Sequence, residues 1–150
     1  MMKYYLAYGS NLNKEQMARR CPDAEPVCGY IMMNYEPVFR RGFLTIEPKE
    51  GAEVPCGVWK ISDQDEKNLD RYEGFPRFYR KEHFSVMVPD PEELTGKLVT
   101  ALAYIMQDGH PLAVPSDHYF YTVMLGYRDF GLDKAPLIAA YERVKWPDDE

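Results

Sequence analysis

Apolar and polar residues along the chain alternate over short distances, and most of the resulting segments have the period of strands. An apolar run at residues 4–7 predicts a first, buried strand. Mixed apolar and aromatic segments at residues 26–39, 43–46 and 54–61 predict three more, with a turn at residues 48–51 separating the last two. Residues 79–88 alternate, and the nearly continuous apolar segment 98–106 predicts a central strand buried on both faces.

Helix signals lie between these strands. Asn13 is a good N-cap for a short helix that ends near residue 20. Gln16 stands at the position where a capping box places its second side chain. Ser62 caps a second helix, which runs to Gly74, a residue that commonly ends helices.

Two more helices are predicted near the end of the chain. Ser116 caps the first of them, and Gly126 and Gly131 mark its end. The last one covers residues 133–145 and turns three apolar side chains inward: Leu137, Ile138 and Tyr141.

Five or more strands with interspersed helices, without a regular strand–helix alternation, predict an α+β fold. We expect the sheet to curl into a small mixed β-barrel flanked by short helices. A length of 150 residues predicts a single domain, residues 1–150, with a sizeable core.

Charge and composition narrow the classes of function. The net charge is −6, and basic residues are scattered apart from two arginine doublets at residues 19–20 and 40–41, so no nucleic-acid-binding stripe is present. We interpret both doublets as solvated surface. No apolar segment is long enough to span a membrane.

Cysteine and histidine usage gives no metal motif. The three cysteines, Cys21, Cys28 and Cys56, have no metal-ligand spacing and predict reduced thiols in a cytoplasmic protein. The three histidines form no HxH, HxxxH or HExxH arrangement. We therefore expect no metal, and because Gly9 is not part of a GxGxxG or GxxxxGK loop we expect no nucleotide phosphate site either.

The segment that we call the Gly9 turn, residues 8–12, follows the first strand and precedes the first helix. Amides at the start of a helix lack acceptors, so such a turn can bind an anion, with help from the hydroxyl of Ser10 and the amide of Asn11. Gly9 permits positive φ or close approach of a ligand. An ordinary turn is the alternative, since the same residue types form turns.

Glu73 stands out because it lies at the C-terminal end of the second predicted helix. The negative end of the helix dipole and the apolar neighbours of Glu73 both favour a neutral carboxyl group and raise its pKa. A glutamate with a raised pKa suits a general base near neutral pH. An exposed glutamate at a frayed helix end is the alternative.

These two segments together resemble the gamma-glutamylcyclotransferase-like family. The first motif is Tyr-Gly-Ser-Asn-Leu at residues 8–12, and the second is Leu-Asp-Arg-Tyr-Glu-Gly at residues 69–74. Residues 41–46, 57–60, 103–106, 115–119 and 126–132 fit the family in the same order. The resemblance covers about residues 4–132.

The resemblance implies an enzyme with a small mixed β-barrel that cyclises a γ-glutamyl group to 5-oxoproline and releases an amine or amino acid. It implies that Glu73 is the general acid/base and that backbone amides of the Gly9 turn hold the α-carboxylate of the substrate. The implied substrate-binding residues are Tyr8, Gly9, Ser10, Asn11, Leu12, Tyr79 and Tyr119.

Two other functions stay open. The chain could be a binding module for an α-amino acid or small anion, with Glu73 turned away from the Gly9 turn. It could also be a hydrolase in which His118 and Glu73 activate water and release glutamate. The leaving group cannot be identified from the sequence, and the surplus of aromatic residues permits a homodimer.

Overall fold

The strands and helices of the chain are described for residues 2–147 by a computed structural model. The strands are β1 Lys3–Ala7, β2 Glu25–Arg40, β3 Phe43–Ile61, β4 Tyr79–Asp90 and β5 Glu93–Met106. The helices are α1 Lys14–Arg20, α2 Asp63–Glu73, α3 Asp117–Phe130 and α4 Ala135–Lys145, and a 3-10 turn covers Ser10–Leu12. The predicted α+β class is confirmed.

All five strands form one mixed sheet in the order β2-β3-β1-β5-β4. The short strand β1 pairs antiparallel with β3 and parallel with β5, so its C-terminal end lies near the middle of the sheet. This position buries Leu6 and Ala7 and fixes where the chain enters the Gly9 turn.

The predicted barrel is confirmed only in a loose sense, because the sheet is not closed. Strands β2 and β4 are the two edges of the sheet, and no ladder joins them in the described residues. The sheet curls enough for the rings of Tyr35 and Phe84 to meet edge to face, with centroids 5.7 Å apart. An aromatic contact therefore joins the two edge strands, where a closed barrel would have backbone hydrogen bonds.

The prediction of a turn at residues 48–51 is wrong, because β3 runs through this segment without ending. Asn34 (φ 67°) on β2 and Gly51 (φ 82°) on β3 adopt left-handed conformations, and the Gly51 N–H donates to Asn34 Oδ1 at 3.0 Å. The register of the ladder shifts here and then continues. The turn-forming residues thus produce an irregularity within a long hairpin.

The predicted starts of α1 and α2 are confirmed by their caps. The Asn13 side chain accepts the Gln16 N–H at 3.0 Å. At α2, Ser62 and Asp65 exchange hydrogen bonds in a full capping box. Helix α2 ends at Gly74, whose φ of 70° is left-handed, and this end determines where Glu73 lies.

The prediction for Gly126 is wrong, because α3 continues through it and ends at Gly131. A Cβ at Gly126 would lie 2.6 Å from Leu12 Cβ, so glycine is needed here for the close contact between α3 and the 3-10 turn. In α4, Leu137 is buried as predicted, but Ile138 faces outward. No helix in residues 2–147 is long and apolar enough to cross a membrane.

Candidate active site

A cavity of about 420 Å³ opens where the C-terminal ends of β1 and α2 meet β4 and α3. Seven of the eight predicted site residues line it: Tyr8, Gly9, Ser10, Asn11, Glu73, Tyr79 and Tyr119. Glu73 and Asn11 are 62 positions apart in sequence and in contact in space. The cavity therefore joins the two segments that the sequence singled out.

The Gly9 turn forms one wall. Its 3-10 hydrogen bonds run from Leu12 N to Gly9 O and from Asn13 N to Ser10 O, both at 3.0 Å. The amides of Ser10 and Asn11 have no acceptor within the described part of the chain. These two N–H groups are therefore available to an anion.

Close packing is the reason for glycine at position 9. Its φ is −124°, so positive φ is not required. A Cβ there would lie 3.3 Å from the Tyr119 hydroxyl oxygen and 3.6 Å from Leu44 Cβ. A larger residue would therefore press on the wall of the cavity.

Leu12 is the predicted binding residue that the structure places elsewhere. Its side chain is fully buried and reaches toward Gly57 and Gly126, away from the cavity. Its amide donates to Gly9 O. Leu12 supports the turn from the core side, and it is not among the residues that line the cavity.

Glu73 faces the Gly9 turn. Asn11 Nδ2 donates to Glu73 Oε2 at 3.3 Å. Burial of the carboxyl group raises its pKa to about 8, and the nearby Arg20 opposes this rise. The geometry that favours a binding module, with Glu73 turned to solvent, is not the one observed.

Two tyrosines of the cavity form hydrogen bonds with the backbone of Leu44, one with its carbonyl oxygen and one with its amide. The Tyr79 hydroxyl donates to Leu44 O at 2.9 Å, whereas the Tyr119 hydroxyl accepts from Leu44 N at 3.1 Å. Because Tyr119 accepts in this bond, its own proton can be donated into the cavity. The proton of Tyr79 is already engaged.

Tyr8 and Ser10 have structural partners as well. The Tyr8 hydroxyl donates to the carbonyl oxygen of Tyr104, which ties the end of β1 to β5. Ser10 Oγ and the Tyr72 hydroxyl share a hydrogen bond of 2.8 Å, which ties the turn to α2. Glu73 and the Gly9 turn are thus held together by side-chain bonds as well as by packing.

The sequence interpretation missed Arg20. Its guanidinium donates to Asn11 Oδ1 and, at 3.1 Å, to Gln16 Oε1, and it lies 3.5 Å from the centroid of the Tyr72 ring. Its neighbour Arg19 is exposed, as predicted for the doublet. The only local signal for Arg20 was its four-residue spacing from Gln16 on α1.

His118 does not approach Glu73. It is exposed on the first turn of α3 and is not among the residues that line the cavity. A hydrolase that uses these two side chains together has no support in this geometry.

Known proteins resemble this chain in sequence and in fold. Residues 5–121 match the family model described as "Gamma-glutamyl cyclotransferase, AIG2-like". The gamma-glutamylcyclotransferases of Homo sapiens and Mus musculus are 28% and 27% identical over 139 residues, which cover 85% of this chain and 71% of each relative. A solved structure named "Gamma-glutamyl cyclotransferase" is 27% identical, with a TM-score of 0.73, covering 100% of this chain and 91% of that one.

Proposed function

Because the chain belongs to the gamma-glutamyl cyclotransferase, AIG2-like family, we propose that it cyclises the γ-glutamyl group of a small molecule to 5-oxoproline. An amine or amino acid is released, and no cofactor takes part. The observation that carries this proposal is the contact between Glu73 and Asn11, which places an acid of raised pKa beside the Gly9 turn. The predicted cytoplasmic location and a homodimer remain predictions.

In this proposal the Gly9 turn holds the amino acid end of the substrate. The free amides of Ser10 and Asn11 bind its α-carboxylate. Tyr8 and Tyr79 form walls that keep the flexible γ-glutamyl chain folded. Folding brings the α-amine to the γ-carbonyl carbon, and such proximity can contribute about 7 kcal/mol or more to lowering the barrier.

Glu73 transfers the proton. The α-ammonium of the substrate must lose a proton before its nitrogen attacks, and a carboxylate with a pKa of about 8 is well matched to an amine whose pKa is about 8. The new C–N bond closes the lactam ring. Glu73 then returns the proton to the departing nitrogen as the original amide bond breaks. It finally takes the second proton from the ring nitrogen and passes it to the released amine, so that no proton is gained or lost overall.

The oxygen of the attacked carbonyl becomes negatively charged on the way. Tyr119 is the best-placed donor to it, since its hydroxyl accepts from Leu44 and retains a proton to give. Donors aimed at such an oxyanion are typically worth about 3 kcal/mol each. The buried surroundings of the site strengthen this interaction.

The test is a screen of γ-glutamyl amino acids and γ-glutamyl amines with detection of 5-oxoproline. We expect release from at least one compound, loss of at least about 1,000-fold in Glu73→Gln, and full activity in the matched control Glu142→Gln on the exposed face of α4. Undiminished activity in Glu73→Gln would remove Glu73 from its role. No 5-oxoproline from any compound would contradict the proposed reaction itself.

A further inference from the structure

The side chains of Arg20, Asn11 and Glu73 form a continuous chain of hydrogen bonds. Arg20 donates to Asn11 Oδ1, and Asn11 Nδ2 donates both to the Tyr5 hydroxyl at 2.9 Å and to Glu73 Oε2 at 3.3 Å. Asn11 is almost fully buried, with 2% of its surface exposed. Every polar atom of its side chain therefore has a protein partner.

The chemistry of arginine fixes the direction of this chain. A guanidinium has donors and no acceptor, so the group of Asn11 that faces Arg20 must be the carbonyl oxygen. The amide nitrogen must then face Glu73. An amide N–H₂ can only donate, and it therefore favours the glutamate as a carboxylate acceptor.

Without Arg20, the Asn11 amide could rotate by half a turn. Its carbonyl oxygen would then face Glu73 and accept a hydrogen bond from the protonated carboxyl group. This bond would favour protonated Glu73, which cannot act as a base. Arg20 is itself held in place by Gln16 and by stacking on the ring of Tyr72. The side chain that fixes Asn11 is thus anchored by its own helix α1 and by a residue of the cavity wall.

We propose that Arg20 is a positioning residue that locks the Asn11 amide with its N–H₂ toward Glu73 and so increases the fraction of the acid that is in its base form. The inference rests on the proposed function of Glu73. Arg20 itself does not line the cavity, and it acts through Asn11.

The other titratable groups that line the cavity with Glu73 are Arg71 of α2 and one or more tyrosines from each surrounding element. The tyrosines are Tyr5 of β1, Tyr8 of the Gly9 turn, Tyr72 of α2, Tyr79 of β4, Tyr104 of β5 and Tyr119 of α3. No lysine or arginine in residues 2–147 forms an ion pair with Glu73. Burial of Glu73 opposes the carboxylate, and the nearby charge of Arg20 favours it. The hydrogen bond from Asn11 to Glu73, whose direction Arg20 fixes, adds to the effect of this charge.

The test measures the titration of Glu73 by carbon NMR on protein labelled at its glutamate carboxyl carbons, with the signal assigned by its loss in Glu73→Gln. We expect a wild-type midpoint near 8 and a rise of about one pH unit in Arg20→Gln. Arg20→Lys keeps the charge but not the planar fork that fixes the amide, so it should still raise the midpoint, by less than Arg20→Gln does. The neighbouring Arg19→Gln is the matched control and should leave it unchanged.

Activity gives a second readout. At pH 7 a rise of one unit lowers the fraction of ionised Glu73 about tenfold, so kcat of Arg20→Gln should fall about tenfold and recover at high pH. An unchanged midpoint in Arg20→Gln, or a normal midpoint in Arg20→Lys, would overturn the lock. Since the NMR midpoint needs no turnover, it remains decisive even if the wild type forms no 5-oxoproline.

Discussion

Replacing Glu73 with glutamine should make the protein more stable, and increasingly so as the pH rises. Glutamine keeps the shape of the side chain and its ability to hydrogen-bond to Asn11, but it removes a carboxyl group that is costly to ionise where it lies. An active-site acid that is costly to ionise destabilises the folded protein, and its replacement commonly gives a more stable but inactive variant.

The size of the effect follows from the pKa of Glu73. Burial raises it from 4.5 to about 8, so between these pH values the folded protein retains a proton that the unfolded chain releases. The free energy of unfolding therefore falls by up to about 1.4 kcal/mol per pH unit across this window. Over the whole window the free energy of unfolding of the wild type falls by about 3 to 5 kcal/mol. Glu73→Gln does not undergo this fall, so relative to the wild type it gains this much stability above pH 8 and none of it below pH 4.5.

Urea unfolding followed by circular dichroism, at pH values from 5 to 9, measures this difference. The gap in the free energy of unfolding between Glu73→Gln and the wild type should widen from pH 5 to about pH 8 and then level off. Glu142→Gln on the exposed face of α4 should follow the wild type at every pH. A gap that stays constant, or that narrows as the pH rises, would refute the assignment of a raised pKa to Glu73.

Three other substitutions test the walls of the cavity. Tyr119→Phe removes the hydroxyl that still has a proton to donate, and it should lower kcat about 100-fold with little change in KM. An equal fall of kcat in Tyr79→Phe, whose proton is already donated to Leu44, would contradict this role of the Tyr119 proton. Tyr79→Phe breaks a buried hydrogen bond to Leu44 and should instead cost about 1 kcal/mol of stability, read from urea unfolding. Gly126→Ala places a methyl group 2.6 Å from Leu12 Cβ. It should lower the free energy of unfolding by about 1 to 3 kcal/mol and reduce activity, because the methyl group displaces the Gly9 turn. Full stability and activity would show that α3 does not hold the turn in place.

Local signals in the sequence predicted the ends of the helices near the site. Asn13 and Ser62 cap their helices through side chains that bond to residues three positions later, and Gly74 ends α2 through its own conformation. Such bonds depend on neighbours in the chain, so the residue types alone reveal them. They place the Gly9 turn before a helix and Glu73 at the end of one.

Contacts between distant segments were harder to foresee. The residues at 48–51 are typical of a turn, but pairing with β2 keeps them within one long strand. Gly126 lies inside a helix because the turn around Leu12 packs against it. Arg20 belongs to a doublet typical of exposed surface, and its role depends on Asn11 and Tyr72, which only the fold brings to it.

The juxtaposition of the two halves of the site came from family resemblance. Nothing in the composition or spacing of either segment indicates that Asn11 and Glu73, 62 positions apart, should touch. The resemblance also grouped Leu12 with its neighbours as a binding residue, although the geometry of a 3-10 turn points its side chain into the core. A motif identifies a segment, and the fold decides which of its side chains reach the cavity.

Running the reaction in water labelled with a heavy oxygen isotope, followed by mass spectrometry, tests the central claim that the substrate's own amine attacks its γ-carbonyl. We predict unlabelled 5-oxoproline and a free amine or amino acid in equal amounts, because ring closure consumes no water. Glutamate carrying one heavy oxygen would instead show that water is the nucleophile, and it would contradict the cyclotransferase mechanism built on the Gly9 turn and Glu73.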